Sequence, residues 1–108
     1  MHFINLKDTF KKQLAPGVTS SLAWGDKLML SVVELDPGST VPMHAHPHEQ
    51  AGIVLEGEFD LTIGGETRRV REGDMYIIPG GVEHRVVTGE EKAVALDIFH
   101  PIREDYIS

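Results

Sequence analysis

The chain has 108 residues, 41% apolar and 25% charged, a balance that permits one packed core and excludes a disordered polar segment. Ten Lys and Arg against seventeen Asp and Glu leave a net charge of −7, so phosphate-backbone electrostatics oppose nucleic-acid binding. The lack of Cys excludes disulfides, thiolate ligands and a cysteine nucleophile together.

No linker, repeat or low-complexity tract interrupts the sequence, so one domain over residues 1–108 is expected. The start, Met1 to Asp8, lacks the apolar stretch of a signal peptide, and no run is long enough to span a bilayer. A cytoplasmic protein without a membrane partner is the expectation. Residues 1–17 read either as an extended edge strand or as a weak helical turn around Asp8 to Gln13.

From Val18 onward the punctuation is regular. Gly25-Asp26, Asp36-Pro37-Gly38-Ser39, Gly57, Gly64-Gly65, Gly73-Asp74, Pro79-Gly80-Gly81 and Gly89-Glu90 separate short runs of Val, Ile and Leu. Lys27 to Leu35 is apolar at both alternating sets and reads as a buried central strand. Glu58 to Ile63 alternates polar and apolar residues, and Gly64-Gly65 offers positive-φ positions for a tight hairpin. Roughly eight or more short strands in so small a chain point to an all-β sandwich or barrel, the jelly roll among them.

His44-Ala45-His46 sets two imidazoles two residues apart, which on an extended strand puts them on one face, spaced to share a metal ion. Two surface histidines beside a proline-containing loop are the plain alternative, because so short a motif recurs by chance. The last strand, Ala93 to Phe99, alternates Val94, Leu96 and Ile98 with Ala93, Ala95, Asp97 and Phe99. The second set combines small residues with a carboxylate and an aromatic ring, which suits the wall of a ligand cavity. An Asp ending an edge strand and a Phe filling core are the plain alternative.

Gly38, five residues, His44-x-His46, three residues, Gln50, six residues and Gly57 form one spaced pattern; Gly73, five residues, Pro79-x-Gly81, two residues and His84 form a second. Together they resemble the two motifs of the cupin superfamily, with Gln50 where that family usually has Glu and Thr88 where the second motif often ends in Asn. The resemblance implies an all-β, single-domain jelly-roll barrel. It also implies one divalent ion in the lumen, nickel, zinc, iron or manganese, held by His44, His46, Gln50 and His84. Glu49 and Gln50 point to opposite faces of a strand, so only one can serve, and the family spacing selects Gln50. His48 is expected at the rim behind Pro47, while His2 and His100 have no neighbours that argue for chemistry. A neutral amide ligand leaves the full charge of the ion uncompensated, which favours an anionic substrate.

The run Asp97-Ile98-Phe99-His100-Pro101-Ile102-Arg103-Glu104-Asp105-Tyr106 is similar to the C-terminal signature of the pectin-degradation cupins. The likeness extends to Lys27-Leu28-Met29-Leu30, to His46-Pro47-His48-Glu49-Gln50 and to Leu55-Glu56-Gly57-Glu58-Phe59. That family linearises 4,5-unsaturated monouronates to 5-keto-4-deoxyuronate, and Gln is its normal ligand. The resemblance implies Asp97 as proton carrier, Arg103 on the substrate carboxylate as a bidentate fork, and Phe99 against the sugar ring. It also implies a small anionic sugar as the partner, and a homodimer with the N-terminal segment as its natural contact. A metal-dependent dioxygenase and a non-catalytic sugar- or metal-binding cupin stay open as alternatives.

Overall fold

The computed structural model describes residues 2–107; Met1 and Ser108, at the two ends of the expected domain, lie outside the described residues. Ten strands follow in order: β1 (Phe10–Ala15), β2 (Val18–Trp24), β3 (Met29–Leu35), β4 (Thr40–His44), β5 (Glu49–Glu56), β6 (Glu58–Ile63), β7 (Glu66–Arg71), β8 (Met75–Ile78), β9 (His84–Thr88) and β10 (Ala93–His100). Two 3-10 turns flank them, at Leu6–Asp8 and Glu104–Tyr106. The all-β expectation holds, and no helix among the described residues is long and apolar enough to cross a membrane.

The strands form a six-stranded sheet, ordered β1-β2-β3-β10-β5-β8, and a four-stranded sheet, ordered β4-β9-β6-β7, with every pairing antiparallel. The inner faces meet over Val18, Val33, Leu35, Val54, Phe59, Leu61, Ala93 and Ala95. That core occupies one end of the sandwich. Alternation places these residues inward from several strands at once, and burying them is the main drive to close the two sheets.

The N-terminal segment is an edge strand from Phe10, as the first alternative had it, and its helical turn lies earlier than Asp8 to Gln13, at Leu6–Asp8. A 3-10 turn comes first, with the Asn5 side chain accepting from the Lys7 N–H at 3.1 Å, and β1 then pairs with β2 at the edge of the large sheet. The hairpin between β6 and β7 also forms, with Ile63 opposite Glu66, but only Gly64 has a positive φ, of 61°.

β3 corrects one expectation. It is central, between β2 and β10, yet it buries only Met29, Ser31, Val33 and Leu35 fully while Leu30 stays 46% exposed. The reason lies outside β3: among the described residues no further sheet covers the outer face of the large sheet, which only the N-terminal segment borders through Ile4 and Leu6. Apolar rows therefore run across it, Leu30 to Ile98 to Ala51 to Ile77 and Val32 to Leu96 to Ile53 to Met75. The outer face of the small sheet is different in kind, with Arg69 bridging Glu58 and Asp60 and Arg71 bridging Glu58 across the β6–β7 ladder.

Two features place the site at the other end of the sandwich. Beyond β10 the chain turns back, so that Ile102, Tyr106 and Ile107 pack on buried Leu22, Met29 and Phe99. Thr88 ties the end of β9 to the loop before β4: its Oγ1 accepts from the Ser39 N–H at 2.8 Å and lies 3.0 Å from the Asp36 and Ser39 carbonyls. A buried threonine thus does structural work at the position where the motif often has Asn.

Candidate metal centre

His44 ends β4, His84 begins β9 directly opposite it, and His46 lies in the loop that leads to β5. The two histidines of the pair therefore do not share a strand face. The chain leaves the ladder after His44, and the loop carries His46 inward; ring centroids are 4.2 Å apart for His44 and His84, 4.8 Å for His46 and His84, and 5.8 Å for His44 and His46. One ring nitrogen from each lies within 4.8 Å of the others.

Each ring is oriented by a main-chain carbonyl two residues away. His44 Nδ1 lies 2.7 Å from the Pro42 oxygen, His46 Nδ1 3.1 Å from that of His48, and His84 Nδ1 2.9 Å from that of Val82. A carbonyl only accepts, so each Nδ1 carries the hydrogen and each neutral ring keeps its lone pair on Nε2. Fixing a ligand imidazole through its other nitrogen is the usual arrangement at metal sites.

Those lone pairs lack protein donors. His84 Nε2 is buried without a hydrogen-bond partner, and His46 Nε2 faces Gln50 Oε1 at 3.1 Å. Two acceptors facing each other, beside a third acceptor with no partner, is unfavourable unless a cation completes the set. The residues present therefore fit a divalent ion. Burial, with the nearby Arg103 and His84, pushes the His46 imidazole down to about 4, and burial also lowers His84, so both stay neutral and ligand-competent near pH 7.

Gln50 is buried on the inner face of β5, and its neighbour Glu49 is exposed, as strand alternation requires. His48 is half-buried at the rim and contributes its carbonyl to His46, standing outside the three-histidine cluster. His2 and His100 are exposed and likewise stand outside it.

Asp97 lies on the inner face of β10 and accepts a 2.7 Å hydrogen bond from the Tyr76 hydroxyl. Burial pushes its carboxyl from 3.8 up to about 6, against hydrogen bonds from Tyr76 and Gln50 that favour the ionised form. Phe99, two residues on, is opposite Gln50 and sets its ring 5.8 Å from that of His46.

Arg103 comes to the site through the returning tail, with its guanidinium carbon 3.9 Å from the Tyr106 ring centroid and 5.3 Å from that of Phe99. Its donors are partly committed. Nη2 and Nε bond Asp105 at 2.8 and 3.4 Å, and Nη1 bonds the Tyr106 hydroxyl at 2.8 Å. Three of the five N–H groups are used, leaving two for a ligand. The edge that the expected fork would offer through Nε is held by Asp105.

The cavity has two parts that meet at His44. An inner chamber of about 50 Å³ touches Gln50, Tyr76, His84, Asp97 and Phe99, and is too small to take a whole sugar without the cleft outside it. An outer cleft of about 370 Å³, lined by Lys12, Pro42, His44, Arg103 and Tyr106, reaches the size range of small-molecule sites. All seven residues singled out in the sequence, His44, His46, Gln50, His84, Asp97, Phe99 and Arg103, thus converge. Sequence reasoning missed Tyr76, Asp105 and Lys12. Only Tyr76 left a signal: Gly52, alone in a strand interior, marks a close approach by something else.

Comparison with known proteins agrees with this geometry. Residues 31–99 match the cupin domain. The chain is 34% identical over 98 residues to the pectin degradation protein KdgF of Dickeya dadantii, covering 89% of each. Among solved structures, an RmlC-like cupin from Shewanella frigidimarina superposes with a TM-score of 0.90 at 29% identity, covering 98% of this chain and 96% of that one. KdgF from Halomonas sp. superposes with a TM-score of 0.84 at 32% identity, covering 95% and 94%. With the domain match spanning most of the chain and the relatives matching nearly end to end, this chain belongs to the cupin family and is similar to the KdgF proteins within it.

Proposed function

We propose that the protein opens and ketonises 4,5-unsaturated monouronates, giving 5-keto-4-deoxyuronate. The observation that carries this reading is a buried carboxyl group, Asp97, held by the Tyr76 hydroxyl beside Gln50 and the histidine cluster. A carboxyl group can both take and return a proton, and the reaction moves one proton. Likeness to KdgF supports the substrate class.

The reaction is an isomerisation. The anomeric hydroxyl gives up its proton, the bond between C1 and the ring oxygen breaks, and C1 becomes an aldehyde. The ring oxygen leaves as the enol oxygen on C5, and a proton delivered to C4 turns that enol into the ketone. No oxidant or reductant enters. Asp97 accepts the hydroxyl proton and supplies the one that arrives at C4. Arg103, with two free N–H groups, and Lys12 at the cleft rim attract the substrate carboxylate. Phe99 and Tyr106 wall the ring and keep water from the enol. His44, His46, His84 and Gln50 would hold the divalent ion, which when bound supplies Lewis-acid stabilisation of developing oxygen charge.

The test is an ultraviolet assay on pectate- or alginate-lyase monouronate, with dissolved oxygen followed in the same cuvette. Loss of the conjugated-enol absorbance at constant oxygen is the expected result. Oxygen uptake instead would identify a dioxygenase, and neither change would leave a binding protein.

A second copy of the chain belongs to the same reading. Its support is the uncovered apolar face of the large sheet, where Leu30, Leu55, Met75 and Ile77 are 46, 45, 77 and 60% exposed, with Ile4 and Leu6 of the N-terminal segment bordering it. Light scattering on a sizing column should give twice the chain mass, falling to one chain when Leu96→Glu charges the middle of that face.

A further inference from the structure

One row of residues crosses three neighbouring strands. Tyr76 on β8 stands opposite Gly52 on β5, and Gly52 stands opposite Asp97 on β10. The middle position has no side chain, and the two outer ones meet over it. A Cβ on Gly52 would overlap Tyr76 Cε1 and Cζ and Asp97 Oδ1. Gly52 is not among the positive-φ glycines, so its backbone has no need of glycine. A strand-interior glycine is destabilising relative to alanine, and here the space it leaves is filled by the tyrosine ring.

The ring crosses the strand to make one contact, the 2.7 Å hydrogen bond from its hydroxyl to Asp97 Oδ1. Burial, with the Asp97 charge close by, pushes the Tyr76 phenol far above its ordinary range, so it donates at every working pH. Gln50 lines the same chamber beside that carboxylate.

We propose that Gly52 and Tyr76 are a positioning pair for Asp97: the glycine opens a slot, the tyrosine ring occupies it, and the hydroxyl fixes the carboxylate in one orientation for proton transfer. This rests on Asp97 as the proton carrier. The role assigned to Tyr76 runs through Asp97, whose Oδ1 its hydroxyl bonds, which gives it a signature separate from simple packing. Packing loss would fall on stability and on metal and substrate binding together. Loss of orientation falls on kcat.

The experiment uses the metal-loaded protein and five chains: wild type, Tyr76→Phe, Asp97→Asn, the double variant of these two, and Gly52→Ala. Tyr76→Phe keeps the ring in its slot and removes only the hydroxyl. It should lower kcat about tenfold, with KM within about twofold and metal content near wild type. In the Asp97→Asn background the same change should cost no further kcat, because the carboxylate it orients is gone. Gly52→Ala should lower kcat at least as far as Tyr76→Phe by closing the slot. Wild-type kcat in Tyr76→Phe, or an equal fall in both backgrounds, overturns the proposal. Crystal structures decide it without substrate: Asp97 should hold one rotamer in wild type and turn away or split in Tyr76→Phe, and an unmoved Asp97 overturns the proposal. If wild type fails to turn over monouronate, the functional reading fails separately, and the rotamer comparison still answers for the pair.

Discussion

His84 Nε2 and His46 Nε2 are both buried lone pairs of one three-histidine cluster, the first without a hydrogen-bond partner and the second facing the Gln50 oxygen at 3.1 Å. Acceptors gathered in this way repel one another, and a divalent ion turns the repulsion into coordination.

The protein should therefore carry about one divalent ion per chain. Elemental analysis should show His44→Ala, His46→Ala and His84→Ala each losing most of it, while His48→Ala, outside the cluster, keeps it. Full metal in a variant lacking all three histidines would show that the cluster is not the site.

Gln50→Glu adds a negative charge at a donor that already faces His46. Metal affinity, read by competition with a chelating dye, should hold or rise. Affinity for an anionic substrate should fall, because the net charge of the centre drops and a second carboxylate stands beside Asp97. Equal or tighter substrate binding would contradict the electrostatic argument.

Asp97→Asn keeps the shape and removes the titrating group. Turnover on unsaturated monouronate should fall by roughly a hundredfold or more with metal content unchanged. A second readout is stability of the metal-free protein. Folding raises the Asp97 pKa from 3.8 to about 6, so its stabilising contribution is complete below 3.8 and is lost as pH rises through about 6. Thermal melts should then show the Asn variant gaining on wild type between about pH 4 and about pH 7. A stability difference that does not change with pH would mean that Asp97 titrates normally.

Arg103→Lys keeps the charge and loses the planar fork that bonds both Asp105 and Tyr106. The Michaelis constant should rise by roughly tenfold or more, with a smaller effect on turnover. Asp105→Asn, which leaves Arg103 in place without its partner's charge, should give a milder form of the same change. A normal Michaelis constant in Arg103→Lys would reduce Arg103 to a structural tie for the tail.

What the sequence determines by itself is local. Glycine and proline punctuation, two-residue alternation and the Gly64 turn act over a few neighbouring residues, and they were enough for the all-β class and the β6–β7 hairpin. The His44, His46 and His84 cluster was legible through motif spacing, although His46 reaches it from a loop and not from a strand face. Tertiary structure decided the rest, because cross-strand register and tail docking depend on pairing partners far away in the chain. Tyr76 and Asp97 are 21 residues apart and meet only because β5 lies between their strands with a glycine at that row. Arg103 was expected at the substrate from the resemblance of the tail, but only folding back over Phe99 brings it to the cleft and gives part of its fork to Asp105. Leu30 shows the same limit from the other side. Its apolar neighbours suggested burial on both faces, but burial needs a covering layer, and the N-terminal segment that borders this face leaves Leu30 46% exposed.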